Sequence, residues 1–313
     1  ISLAYVVTTE IYVAIRRRMV TMSTSEETLN LVHYFWLAFI LASGLGQINV
    51  PFLSKFVRDT AKRGKTRGNK DFDDEKSTRK RMASAFLNVP HAWFTHFYIV
   101  GTIWNAHIML KYIHSKGNII DINTFAKAAL EGKDPELLAR VLFQFHVTRR
   151  LMESVFIKVN RTKSEMHAIG YVLGLLYYVC ASLSLNSNSR NGKETEERKA
   201  EFLVASLLFF YANWKQYECH ALLRNARLRT DRKDQYAQID SGLFSLVACP
   251  HYFFECVLYF SLCIIQRCSL SSVLMFVAVV GNLSLEAKNH LMWYRRKMKG
   301  FPRHRKAMVP YLY

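Results

Sequence analysis

The chain has 313 residues, half of them hydrophobic, and its 43 Lys and Arg against 24 Asp and Glu give a formal net charge of +19. A mean hydropathy of zero looks like that of a water-soluble protein, but it averages long apolar runs with dense basic connectors. The cations lie in those connectors, where they suit anionic headgroups or a phosphate-bearing ligand, and a nucleic-acid partner is set aside on that ground.

Residues 2–15 are apolar and are followed by Arg16, Arg17 and Arg18. A secretory signal carries its cations before the apolar run, so residues 1–30 read as an uncertain segment, in part the remnant of a span. Apolar runs then occupy 31–53, 90–111, 139–158, 167–185, 201–219, 243–266 and 271–290. Runs of about 17–25 apolar residues match a bilayer, and in lipid they must be helical because the backbone has no other partner. The pattern predicts an all-α polytopic membrane protein of about seven transmembrane helices. Residues 31–313 read as one membrane domain. The run at 139–158 is the weakest, because Arg149 and Arg150 interrupt it.

Connectors set the orientation. The 55–81 loop holds eleven Lys and Arg against five acids, the 222–234 loop five, and Arg295 to Lys306 seven. With seven spans starting at 31, all three fall on one side, which the positive-inside rule makes cytosolic. Arg16 to Arg18 then lie on the wrong side. The sequon Asn160-Arg161-Thr162 falls in the cytosol and is expected to be unmodified.

Six Cys form no CxxC pair, and five lie in or beside apolar runs, so neither a disulfide framework nor a zinc site is expected. There is no GxGxxG after a strand and no Walker loop. The eleven His form no tight cluster of the kind that holds two irons. A bound nucleotide would have to rest on helix ends and basic loops.

Four constellations could carry chemistry. In Gln144 to Glu153, a helix places His146 and Arg149 at i,i+3 and Arg149 and Glu153 at i,i+4, gathering three polar groups on one face of an apolar run. The plain alternative is a helix end near the headgroups, with Arg150 snorkelling. Gln216, His220 and Arg227 share a helical face and suit ribose and phosphate oxygens; the alternative is an Arg-rich helix end. Cys249-Pro250-His251 followed by Glu255 puts a proline and an acid in an apolar run, either a kinked helix or an opened site. Last come His290, Tyr294 and the tail from Phe301 to Tyr313, a basic cluster ending in apolar residues. Such a tail is expected to fold back onto the bundle.

These stretches resemble the polyprenol reductase branch of the steroid 5α-reductase family. The tail fits the pattern Tyr-Pro-x-x-Arg-Lys-Ala-x-x-Pro-Phe-x-Tyr/Phe, with Phe301 in place of the first Tyr. HVTRRLMES (146–154) is similar to HxxRRLxE, KQYECHALLRNAR (215–227) to HQYxCHxxLxNLR, and LVACPHYFFE (246–255) to SSPNYxxE. MHAIGYVLGLLYYV (166–179) and VPHAWFTHFYIVGTIWN (89–105) also resemble that branch. The likeness runs from about 89 to 313 and implies a catalytic part at about 139–313. His251 departs from it, standing where Asn is usual.

The resemblance implies NADPH-dependent reduction of a double bond conjugated to a carbonyl. The substrate would be a long-chain polyprenyl lipid and the product would lead to dolichol for N-glycosylation. The setting would be the endoplasmic reticulum membrane, with the C-terminus cytosolic. Carried over by position, His146, Glu153 and His290 are the catalytic candidates. Arg149, Gln216, His220, Arg227, Tyr236, His251, Glu255, Tyr294 and Arg305 are the cofactor-facing ones. Two other readings stay open: a related reductase acting on a 3-oxo-Δ4 steroid or a trans-2-enoyl-CoA, and a seven-helix receptor or transporter without chemistry.

Overall fold

The computed structural model describes residues 26–47, 88–115, 134–157, 165–186, 196–229, 238–298 and 300–313. Among them are seven α-helices: α1 (Glu26–Gln47), α2 (Phe94–Ser115), α3 (Pro135–Met152), α4 (Ala168–Ser184), α5 (Glu196–Leu228), α6 (Pro250–Ile265) and α7 (Leu270–Lys297). They follow the seven apolar runs one for one. Two short strands, β1 (Asn88–Pro90) and β2 (Glu165–His167), pair antiparallel just ahead of α2 and α4. The expected spans over 2–15, the 55–81 loop and the Asn160 sequon lie outside the described residues.

Local chemistry sets the helix boundaries. Asp134 caps α3 by accepting from the Leu137 N–H at 3.0 Å, and Pro135 fills the first helical position, where its missing N–H costs nothing. The His167 ring nitrogen caps α4 in the same way, at 3.1 Å from the Ile169 N–H. Pro250 is the first residue of α6. Of the two readings, a kinked helix is not what forms, because a proline in the first turn breaks no helical bond. At its far end α3 passes into a π-helical turn, Glu153–Ile157.

α6 lies at the centre, against α5, α7 and α3, while α2 packs on α3 and α4, and α1 on α7. α2 and α4 interlock by exchanging small for large residues. Gly101 of α2 faces the Tyr178 ring, and Gly174 of α4 faces Phe97; a Cβ on either glycine would come within 2.6 Å of the opposing ring. Phe97 is nearly fully buried and has no room to retreat. Gly174→Ala is expected to destabilise the protein by about 1–3 kcal/mol, as overpacking does, seen as a lower thermal midpoint in detergent.

Of these helices, α1 and α7 are long and apolar enough to cross a membrane. α4 and α6 are equally apolar but have only 17 and 16 residues, and at 1.5 Å per residue they reach about 25 Å. α3 and α5 miss the criterion for another reason: their interiors carry Gln144, His146, Arg149, Arg150, Asn213 and Gln216.

Candidate functional site

The polar side chains of α3, α5 and α6 converge. Arg149 and Arg150 both pair with Glu153, one residue holding each carboxylate oxygen. His220 of α5 places Nδ1 2.7 Å from Glu153 Oε2 and donates to it. Arg149 also reaches Gln216, which in turn donates to Glu255 of α6. The Gln216 amide further donates to the His251 carbonyl at 3.3 Å. His146 Nε2 lies 3.3 Å from Glu255 Oε1, and Arg150 donates to the Tyr98 hydroxyl of α2 at 2.6 Å. The result is one continuous network across four helices.

Burial makes this network unusual. His146 is fully enclosed, Gln216 is 2 % exposed and Glu153 5 %. Buried ions are tolerated only when paired and hydrogen-bonded. Here two guanidiniums meet two carboxylates, so the formal charges of Arg149, Arg150, Glu153 and Glu255 cancel. The π turn begins at Glu153 and widens the helix where its carboxylate must meet two arginines of the same helix and a histidine of another.

Seven predicted site residues therefore fall together: His146, Arg149, Glu153, Gln216, His220, His251 through its backbone, and Glu255. Arg150 is no snorkelling side chain; it is part of the network and stacks over the Tyr98 ring at 5.0 Å. Two contributors went unpredicted, Tyr98 and Asn213. Asn213 accepts from Arg149 Nε at 3.0 Å and lies one helical turn before Gln216. An amide inside the apolar run 201–219, in phase with Gln216 and His220, was the available signal.

Three other candidates gather on the tail side of α6. The tail folds back as expected: Lys306 N–H donates to the Leu246 carbonyl, and Lys306 and Ala307 carbonyls accept from Ala248 and Cys249 N–H, at 2.9–3.0 Å. Arg295 clasps the Arg303 and Arg305 carbonyls at 3.1 Å each. His290 lies beside Cys249 (3.5 Å to Sγ) and stacks with Tyr252 at 5.9 Å. Tyr294 stacks flat on Phe301, ring centres 5.1 Å apart, and Arg305 lies over that Phe301 ring at 5.1 Å. Gln238, Ile239, Phe244, Tyr294, Phe301 and Arg305 line a small cleft. Arg305 donates to the Ile239 carbonyl at 2.9 Å and pairs with Asp240. Hydrogen bonds from Gln238 and Arg305 hold the Asp240 carboxyl below its ordinary range, so the pair persists at neutral pH.

Arg227 is exposed in the last turn of α5, about 10 Å along the axis from His220. Tyr236 lies outside the described residues.

Comparison with known proteins places this geometry. Residues 164–313 match the sequence pattern of the family described as 3-oxo-5-alpha-steroid 4-dehydrogenase. The chain is 28 % identical over 315 residues to polyprenal reductase of Danio rerio, covering 91 % of this chain and 98 % of the relative. It is 28 % identical over 269 residues to polyprenal reductase 1 of Arabidopsis thaliana, covering 74 % and 83 %. For polyprenal reductase of Caenorhabditis elegans the figures are 26 % over 253 residues, covering 72 % and 80 %. Residues 164–313 are thus similar to the family described as 3-oxo-5-alpha-steroid 4-dehydrogenase, in a chain similar over most of its length to polyprenal reductases.

Proposed function

We propose that this protein is a polyprenal reductase. It would saturate the α-isoprene double bond of a long-chain polyprenal at the expense of NADPH, on the way to dolichol for N-glycosylation. The observation that carries the reading is the network in which buried His146, Glu153 and Gln216 meet partly buried Arg149, His220 and Glu255, set in a chain similar to reductases of that name. An ion network enclosed by apolar helices is costly to keep unless it serves a site.

The tail-side cleft carries groups suited to one part of a dinucleotide. Arg305 commits its two terminal nitrogens to Ile239 and Asp240, while its Nε is buried without a hydrogen-bond partner. A phosphate oxygen is the natural acceptor for such a group. The stacked Tyr294 and Phe301 offer a flat apolar face beside it. A reduced nicotinamide dinucleotide held there would supply the hydride that reaches the β-carbon of the conjugated aldehyde. Arg305→Ala is then expected to raise KM for NADPH about 10- to 100-fold, the worth of a charged hydrogen bond, with kcat changed little.

The chain's own groups serve the other end of the reaction. As the β-carbon gains hydride, negative charge develops on the aldehyde oxygen, and a donor aimed there lowers the barrier; a proton from solvent added to the α-carbon then completes the saturation and restores the aldehyde. His146 Nε2 is that donor, with the aldehyde oxygen replacing Glu255 Oε1 as its neighbour. Glu153, Arg149 and Gln216 hold α3 and α5 in register around it. An isolated alkene develops no such charge, so the aldehyde rather than the alcohol is the substrate.

The membrane setting follows the same reading. Phe145, Met152 and Phe156 on α3 and its π turn, with Leu203, Leu207, Phe210 and Trp214 on α5, are exposed. They repeat at helical spacing and suit lipid tails and a polyprenyl chain. The protein is placed in the endoplasmic reticulum membrane with several passes and a cytosolic C-terminus.

A 3-oxo-Δ4 steroid is the second substrate class, favoured by the description of the family matched by residues 164–313. The purified full chain, given NADPH with either substrate, separates the two. Polyprenal reduction is expected. Reduction of the steroid alone would overturn the substrate assignment, and a folded protein that reduces neither would overturn the reductase reading.

A further inference from the structure

We infer that Asn213 is a positioning residue that fixes which ring nitrogen of His146 carries a proton; the inference builds on the donor role proposed above for His146. Asn213 is 2 % exposed and His146 fully buried. Its side-chain amide can be oriented without ambiguity. Arg149 Nε, always a donor, points at one end of the amide at 3.0 Å, so that end is the oxygen. The other end lies 2.9 Å from the Phe209 carbonyl, always an acceptor, so that end is the NH2. The two assignments agree, which is what a chosen amide orientation requires.

His146 Nδ1 lies 3.2 Å from the same Asn213 oxygen and 3.4 Å from an Arg149 terminal nitrogen that is already committed to Gln216, so the amide oxygen is its nearer partner. A carbonyl oxygen cannot donate, so the hydrogen in that contact belongs to Nδ1. Nε2 is then the nitrogen that gains and loses a proton; it is a donor when the ring is an imidazolium, and it faces Glu255 Oε1 at 3.3 Å. Asn213 therefore aims the ring through its far edge and leaves the working edge toward the space an aldehyde oxygen would take. Arg149 completes the arrangement: its Nε holds the amide and its terminal nitrogens hold Glu153 and Gln216. The charged groups around the ring are Arg149 on its own helix and Glu255 on α6, so a change at position 213 acts beside both.

Two near-isosteric variants test the inference. Asn213→Leu removes the acceptor, whereas Asn213→Asp keeps an acceptor toward Nδ1 and adds charge. In Asn213→Leu, kcat is expected to fall at least about tenfold with both KM values within about twofold, since an unaimed donor costs rate more than binding. The alkaline limb of the pH–rate profile should move to lower pH. Asn213→Asp should retain most activity and move that limb to higher pH, each shift by about half a unit or more. A packing role alone would not move the two limbs in opposite directions. Should Asn213→Leu not fold, the upward shift in Asn213→Asp carries the test. Unchanged profiles in both variants would overturn the inference.

A second readout is independent of turnover. In protein labelled with 15N-histidine, the His146 ring signals are identified by their loss in His146→Phe. Nδ1 should read as protonated in the parent and lose that character in Asn213→Leu. An Nδ1 that is unprotonated in the parent, or unchanged in the variant, would overturn the inference. If the folded parent reduces no polyprenal while Nδ1 behaves as stated, the proposed function falls and the positioning role stands.

Discussion

Glu153→Gln is expected to abolish turnover, by at least about a hundredfold, and to lower stability by about 3–5 kcal/mol, the cost of removing one partner from a buried ion pair. The carboxylate is the hub of the network. It receives Arg149, Arg150 and His220 together. Glutamine keeps the shape but brings no charge, leaving two adjacent guanidiniums with one partly buried carboxylate, Glu255, nearby. The loss should show as a lower thermal midpoint in detergent together with lost polyprenal reduction. Glu153→Asp, which keeps the charge with a shorter reach, should fall between the two. Full activity in a folded Glu153→Gln protein would remove this residue from the site.

His146→Phe should fold and fail. Its expected loss is about 10²- to 10⁴-fold in kcat, the usual worth of a positioned proton donor. The ring volume is kept among Phe143 and Tyr259, which pack within 6.4 Å. His146→Gln retains an N–H on the same side of the helix and should lose less, about 10- to 100-fold. Single-turnover reduction, with NADPH binding measured separately, distinguishes lost chemistry from lost cofactor. An equal loss in both variants would mean the donor is not what matters at this position.

Much of this site was legible in the sequence because charge in an apolar run is rare and helical spacing is rigid. His146, Arg149 and Glu153 sit on one face by arithmetic, and the same arithmetic places Gln216 and His220. The helices were legible for a related reason, since each apolar run becomes a helix within a few residues. Three things were not. Pro250 marks a helix start, which an apolar run on both sides conceals. Arg150 looked like an interfacial side chain, because nothing in the sequence says that Tyr98, one of 16 tyrosines, will approach from α2. The buried Glu136–Arg140 pair, with Arg140 also donating to the Ser182 carbonyl at 3.0 Å, passed unnoticed at the other end of α3. The tail was readable as a fold-back from its apolar ending, but its register against Leu246–Cys249 depends on backbone pairing and carries no side-chain signal.

The cofactor residues divide for a physical reason as well. Pattern matching set Arg149 to Arg305 in one group, whereas packing separates a buried ion network from a tail-side cleft. His290, Tyr294 and Arg305 belong with the second. Arg227 stands beyond both, exposed in the last turn of α5.

The central claim is tested most directly by the ratio of polyprenol to dolichol in cells lacking this protein, with and without its return. Polyprenol should accumulate in its absence. The parent chain should restore dolichol, and a stably expressed His146→Phe chain should not. Failure of the parent chain to lower polyprenol, or full restoration by His146→Phe, would contradict the account.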